Sequence, residues 1–117
     1  MPAVQSLNQN KQFRTLYYHG KSAVHGAVVT YVRRNRENTV RLGITVSKKL
    51  GGAVVRNRCR RVLREGLRPL EPLLRPGTDI VLVARGRLIP MKSTQATVIL
   101  KNHLQSLGAL AQPGIKL

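Results

Sequence analysis

Apolar and polar positions along this chain switch between two periods, and the switches mark its elements. Asn10 to His19 reads as a short helix on which Phe13 and Tyr17, four apart, share a face. Gly20 follows, at a position where a left-handed glycine commonly closes a helix. Lys21 to Val24 fits a brief strand. Ala27 to Arg33 repeats every second residue, with Ala27, Val29 and Tyr31 on one side and Val28, Thr30 and Val32 on the other. The polar stretch Arg34-Asn35-Arg36-Glu37-Asn38 then predicts a hairpin connection. Arg41 to Ser47 alternates again, with Leu42, Ile44 and Val46 toward a core. Gly51-Gly52 breaks the chain before a helix that starts near Ala53. Pro69 would clash with the carbonyl four residues earlier, so that helix ends near Arg68. The apolar run Ile80 to Ala84, bounded by Gly77 and Gly86, predicts a strand covered on both faces. From Ser93, an expected N-cap, to about Leu110, the residues Ala96, Leu100, Leu104 and Leu107 recur at helical spacing.

The order is therefore α-β-β-β-α-β-α, an α+β domain with helices packed on a single sheet. One domain spans residues 1–117, with about 7–110 folded and 111–117 a flexible tail, since Pro113-Gly114 discourages order there. Strand 41–47, helix and strand 78–84 form a parallel crossover, a unit that is right-handed in about 98% of cases.

Charge changes the picture most. The 117 residues hold 21 Lys and Arg against 4 Asp and Glu, a formal net charge of +17 with a pI near 11.8. Fourteen of the cations are arginine, which favours forked recognition of phosphate. A lone soluble domain would repel itself at such a charge, so a polyanionic partner, nucleic acid first, is implied. Hydrophobic residues make up 42%, too many for a disordered basic tail. The single cysteine, Cys59, allows neither an internal disulfide nor a cysteine-rich zinc site. No apolar run approaches the roughly 20 residues of a membrane span. The opening Met1-Pro2-Ala3-Val4-Gln5-Ser6 lacks the n- and h-regions of a secretory signal, so a cytoplasmic location is expected.

On a helical wheel of Ala53 to Arg68, Val55, Cys59, Val62, Leu63, Gly66 and Leu67 fill one arc. Arg60, Arg61, Arg64 and Arg68 fill the opposite arc, and Arg56 and Arg58 flank the apolar stripe. A solvated face normally interleaves both signs, and here only Glu65 offsets the arginines. Asn57 adds an amide able to bond phosphate, ribose or a base edge. Cys59 lies on the apolar arc as a small core residue.

Residues 41–65, with Ala53-Val54-Val55 before Arg56-Asn57-Arg58, then Arg60-Arg61 and Arg64-Glu65, closely resemble the signature of the protein component of bacterial ribonuclease P. Phe13, Tyr17 and Gly20 match that family's first helix and turn, and Asp79 to Ala84 its last strand. Two positions depart from its pattern: Cys59 stands where a larger aliphatic is usual, and Arg60 where lysine is common. The resemblance implies a two-layer sandwich like a ribosomal-protein domain, with a left-handed crossover against the general rule. It implies an accessory subunit of an RNA enzyme that removes the 5′ leader of precursor tRNA, with the active site and the required Mg2+ on the RNA. The arginine helix (Arg56, Asn57, Arg58, Arg60, Arg61, Arg64, Arg68), extended by Lys48 and Lys49 in the preceding loop, would then face the catalytic RNA. A cleft between the first helix and the sheet would receive the leader.

The cleft is visible in the residues themselves. Phe13 and Tyr17 share a helix face, Tyr31 projects from a strand beneath it, and Lys11, Arg14 and Lys21 supply charge. Aromatic rings beside cations make a sequence-tolerant platform for single-stranded bases, at roughly 1–3 kcal/mol per stack. The competing reading makes Phe13 and Tyr31 plain core. His19, His25 and His103 have no cysteine or carboxylate at ligand spacing, and Glu37, Glu65, Glu71 and Asp79 are too scattered for a two-metal nuclease. No catalytic residue, protein-bound metal, membrane contact or small-molecule substrate is therefore expected. The alternative function is a structural RNA-binding protein of ribosomal type with no part in cleavage; composition fits both, and the long motif favours the first.

Overall fold

The computed structural model of the chain describes residues 4–7 and 9–111. Its elements are β1 (Val4–Ser6), α1 (Asn10–His19), β2 (Lys21–Val24), β3 (Val28–Arg34), β4 (Val40–Thr45), α2 (Ala53–Leu67), β5 (Thr78–Ala84) and α3 (Ser93–Ser106). Short 3-10 turns occupy Lys48–Leu50, Arg68–Leu73 and Gly86–Leu88. The five strands form one sheet in the order β1-β4-β5-β3-β2.

β5 takes the centre because it is the most apolar strand, and the centre is the place covered on both faces. It runs parallel to β4 and antiparallel to β3. Ile80, Leu82 and Ala84 point to one face, where α2 contributes Cys59, Val62, Leu63 and Leu67 and α3 contributes Ala96, Leu100 and Leu104. Each such buried aliphatic side chain contributes about 1.5–3 kcal/mol. Val81 and Val83 point to the other face, where α1 lays Leu16 and Phe13 against them together with Tyr31 and Leu7. The sheet and the α2–α3 pair are the two principal layers, and α1 adds a partial third on the opposite side.

Several expectations are corrected. The stretch Arg34–Asn38 is not a hairpin connection, because β3 and β4 are separated by β5. A local turn signal cannot register a strand that arrives only after α2. The loop instead straddles the start of β5: the Asn35 N–H donates to the Gly77 carbonyl at 2.7 Å, and the Gly77 N–H to that of Thr39 at 3.0 Å. Residues before 7 also belong to the fold, since β1 (Val4–Ser6) pairs in parallel with Val40–Leu42. At the other end the Ala111 N–H is bonded to the Leu73 carbonyl at 2.6 Å, so residue 111 belongs to the fold. The remainder of the expected tail, 112–117, lies outside the described residues.

Gly20 does not use left-handed freedom. Its backbone is extended (φ −81°, ψ 161°), and glycine is needed because a Cβ would lie 2.5 Å from the Leu16 carbonyl oxygen. Ser93 is the first helical residue of α3 rather than its cap; the Lys92 N–H is held by the Gln95 side chain at 2.9 Å, and the helix stops at Ser106.

Candidate nucleic-acid interface

α2 divides as its wheel requires. Cys59, Val62, Leu63, Gly66 and Leu67 are buried, while Asn57, Arg61, Arg64 and Arg68 are exposed and Arg56, Arg58 and Arg60 half-buried. Arg68 sits at the end of the helix, where the chain tightens into the 3-10 turn that Pro69 favours. Asn57 accepts from Arg60 Nη1 at 3.2 Å, so the two side chains stand together on the outer face. Val54, 84% exposed, joins Asn57, Arg58 and Arg61 around a shallow hollow. Arg60 and Arg64 reach toward the β1–β4 edge, where Gln5, Ser6 and Glu71 line a second one. Lys48 and Lys49 are exposed in the turn before α2, which the Ser47 hydroxyl caps by accepting the Lys49 N–H at 3.1 Å.

Arg58 has an inward task that the wheel alone did not reveal. Its guanidinium donates to the carbonyls of Ile89 (2.5 Å) and Met91 (2.9 Å), tying α2 to the segment that leads into α3. Arg56 keeps a shielded Nε–H without a hydrogen-bond partner. Burial pushes the Cys59 thiol up, so it stays protonated as a core group rather than a nucleophile.

On the opposite face, α1 and the sheet enclose a groove lined by Asn10, Phe13, Arg14, Tyr17 and Thr45. The Phe13 wall sits this close to the sheet because residue 43 is glycine: a Cβ there would lie 2.5 Å from Phe13 Cε1. Phe13 is half-buried against Val81 and Leu7, so it is both core and wall. Tyr17 is 40% exposed and meets Tyr31 edge-on, with ring centroids 5.0 Å apart at 69°. Tyr31 thus lies under Tyr17, while Tyr18 is 81% exposed on another side of the helix. Lys11 is exposed but two residues, about 200° of helix, from Phe13, and it does not line the groove. Gly43 and Thr45 were missed in the sequence, although a glycine inside an alternating strand is a signal of close approach.

Two of the four carboxylates are committed to structure. Asp79, 6% exposed, takes a two-pronged contact from Arg41 (Nε and Nη2, both 2.7 Å) and a third bond from Asn35 Nδ2 at 2.7 Å. Glu37 also approaches Arg41, at 3.2 Å. The hydrogen-bonded pairing with Asp79 holds Arg41 more firmly protonated than usual. Among the described residues no three of His, Cys, Asp and Glu gather as a metal site. Asp79, fully engaged, has no free oxygen for a cation. No helix among them is long and apolar enough to cross a membrane.

The sequence profile of the family described as Ribonuclease P matches residues 1–108. The ribonuclease P protein component of Clostridioides difficile is 42% identical over 82 residues, covering 69% of this chain and 72% of that protein. That of Thermoanaerobacter sp. is 36% identical over 106 residues, covering 86% and 91%. Among solved structures, the RNase P protein of Staphylococcus aureus superposes with a TM-score of 0.79 at 31% identity, over 90% of this chain and 96% of that one. The protein from Thermotoga maritima gives 0.74 at 29% identity, over 84% and 93%. With the profile spanning nearly the whole chain, and the arginine helix and aromatic groove both on the fold these structures share, the chain belongs to the family of bacterial ribonuclease P proteins.

Proposed function

We propose that this subunit binds the catalytic RNA of ribonuclease P through α2 and the 5′ leader of precursor tRNA through the groove beside α1, assisting removal of the leader. The reaction belongs to the RNA, with the magnesium that the RNA holds; the protein contributes binding, and the complex works in the cytoplasm. One observation carries this: two surfaces of different chemistry lie on opposite faces of one sheet, a face of arginines without carboxylate partners among the described residues and a groove of rings with one flanking arginine. Arginine forks suit a structured RNA backbone. Rings that stack without reading base edges suit a leader of variable sequence.

The test is cleavage of a precursor tRNA by transcribed ribonuclease P RNA at low magnesium, with and without the protein. Restored correct 5′ cleavage, with the protein inert alone, supports the subunit reading. Binding of both RNAs without any change in cleavage would favour a ribosomal-type role instead. Arg61→Ala and Arg64→Ala should weaken assembly with the catalytic RNA, whereas Tyr17→Ala should weaken leader binding with assembly intact.

A further inference from the structure

A third basic site lies apart from both surfaces. At the end of the sheet where β2 and β5 begin, Lys21, Arg34 and Arg75 surround a concavity of about 360 Å³, with His19 and Arg33 at its margin. Its floor is Val32 and Thr78, and its wall is the turn that follows α3, Leu107 to Ala109. No residue of α2 and none of the groove's rings lines it.

Register explains the convergence. Lys21 stands opposite Val32, and Arg34 opposite Thr78, so both cations point to the α3 side of the sheet. Arg75 is fixed by its backbone: its N–H donates to the Ala109 carbonyl at 2.9 Å, beside the Leu74–Leu110 bridge. Among the described residues none of these side chains has a hydrogen bond or ion pair. The nearest carboxylate in register, Asp79 opposite Arg33, is saturated by Arg41 and Asn35. The carbonyl ends of α1 and α3 offer about half a charge each. Against the three full charges of Lys21, Arg34 and Arg75, that leaves about two unneutralised. Such convergence without counter-charge selects an anion, and forked guanidinium groups select phosphate oxygens.

We infer that this pocket is a third RNA contact, which grips the sugar–phosphate backbone without reading bases. Apart from the His19 ring at its margin no aromatic side chain lines it, so phosphate charge rather than base stacking governs the contact. The inference rests on the subunit reading above and adds a surface to it. Two RNAs could supply the phosphates, the catalytic RNA or the body of the precursor tRNA.

The experiment compares wild type, Arg34→Gln/Arg75→Gln and Arg61→Gln/Arg64→Gln in two titrations across salt: assembly with catalytic RNA, and binding of precursor tRNA by the assembled enzyme. Removing one cation–phosphate pair lowers the slope of log affinity against log salt by about 0.7–0.9. The pocket variant should therefore show a slope smaller by about 1.5 and roughly tenfold weaker affinity in one titration. A change in assembly identifies the catalytic RNA as source; a change only in precursor binding identifies the tRNA. Wild-type behaviour in both titrations overturns the pocket, provided the α2 variant fails to assemble normally in parallel. Should the α2 variant also bind normally, the subunit reading itself fails. Lys21→Gln/Arg34→Gln leaves the backbone anchor of Arg75 untouched and serves if the first variant misfolds.

Discussion

Replacing Gly43 by alanine probes the groove through the Phe13 ring that packs over it. The new Cβ would sit 2.5 Å from Phe13 Cε1, 2.8 Å from Cζ and 3.3 Å from Leu7 Cβ. Carbon atoms rest about 3.5–4.0 Å apart, so the ring must move by about 1 Å. Phe13 is half-buried and has room toward solvent, so it lifts rather than distorting the sheet. Overpacking of this kind costs about 1–3 kcal/mol. Removing a strand glycine returns about 0.5–1 kcal/mol. The net loss is about 1 kcal/mol, a fall in Tm of about 4 °C for a domain of this size. Leader binding should suffer more than stability, because a displaced ring forfeits part of a stack worth roughly 1–3 kcal/mol, or about 5- to 10-fold in Kd. Fluorescence titration of the assembled enzyme with precursor tRNAs bearing and lacking a leader reads this directly. The leaderless substrate and assembly with the catalytic RNA should be unchanged. In Phe13→Ala/Gly43→Ala the second substitution should cost nothing further. Wild-type leader affinity in Gly43→Ala, or fully additive losses in the pair, would refute the idea that residue 43 acts through the ring.

Three further outcomes follow from the buried polar contacts. Asp79→Asn should lower stability by about 2–4 kcal/mol in urea titration, because it strips the half-buried Arg41 of its two-pronged partner and leaves only the exposed Glu37 to offset its charge; a shift under about 0.5 kcal/mol would mean the pair is solvated. Arg58→Ala should cost about 2 kcal/mol by unpinning the Ile89 and Met91 carbonyls, whereas Arg61→Ala should leave Tm unchanged and weaken RNA binding only. Burial, helped by the nearby His25, holds His103 below its ordinary value of 6.5 where it meets the Thr30 hydroxyl at 2.8 Å. The unfolded chain therefore binds the proton first, so this contribution is complete above about pH 6.5 and declines as pH falls below it. Thermal melts should be lower at pH 5 than at pH 8, with a shallower dependence in His103→Gln, and parallel profiles for the two proteins would exclude His103 as the cause.

Local patterns were legible wherever one residue's neighbours in sequence decide its surroundings. The bounds of α1, the apolar arc of α2 and the two faces of β3 could be read because period and burial coincide there. What escaped depends on partners remote in the chain. β1 is three residues long and exists only because the edge of β4 offers it a ladder. The separation of β3 from β4 depends on β5, and the structural role of Arg58 on carbonyls more than thirty residues away. The pocket of Lys21, Arg34 and Arg75 gathers cations from three segments far apart in the chain.

The strand that organises the sheet also bears on how two RNAs share so small a protein. Successive residues of β5 serve opposite layers: Ile80 and Leu82 back α2 and α3, and Val81 and Val83 back α1. The two helices proposed to face RNA thus turn their inner stripes to one strand and keep their outer faces free. Two polyanions brought together would repel, and distance with intervening charge decides how strongly. The shortest dimension of the domain is 23 Å, well over twice the Debye length of about 8 Å at physiological salt. Between them stands a body of formal charge +17, in which Arg41 is the one cation with an ion pair among the described residues. A leader on the α1 face and a catalytic RNA on the α2 face are therefore screened from one another and drawn to the same cationic spacer. On a single face, the same contacts would bring the phosphates of the two strands within one screening length.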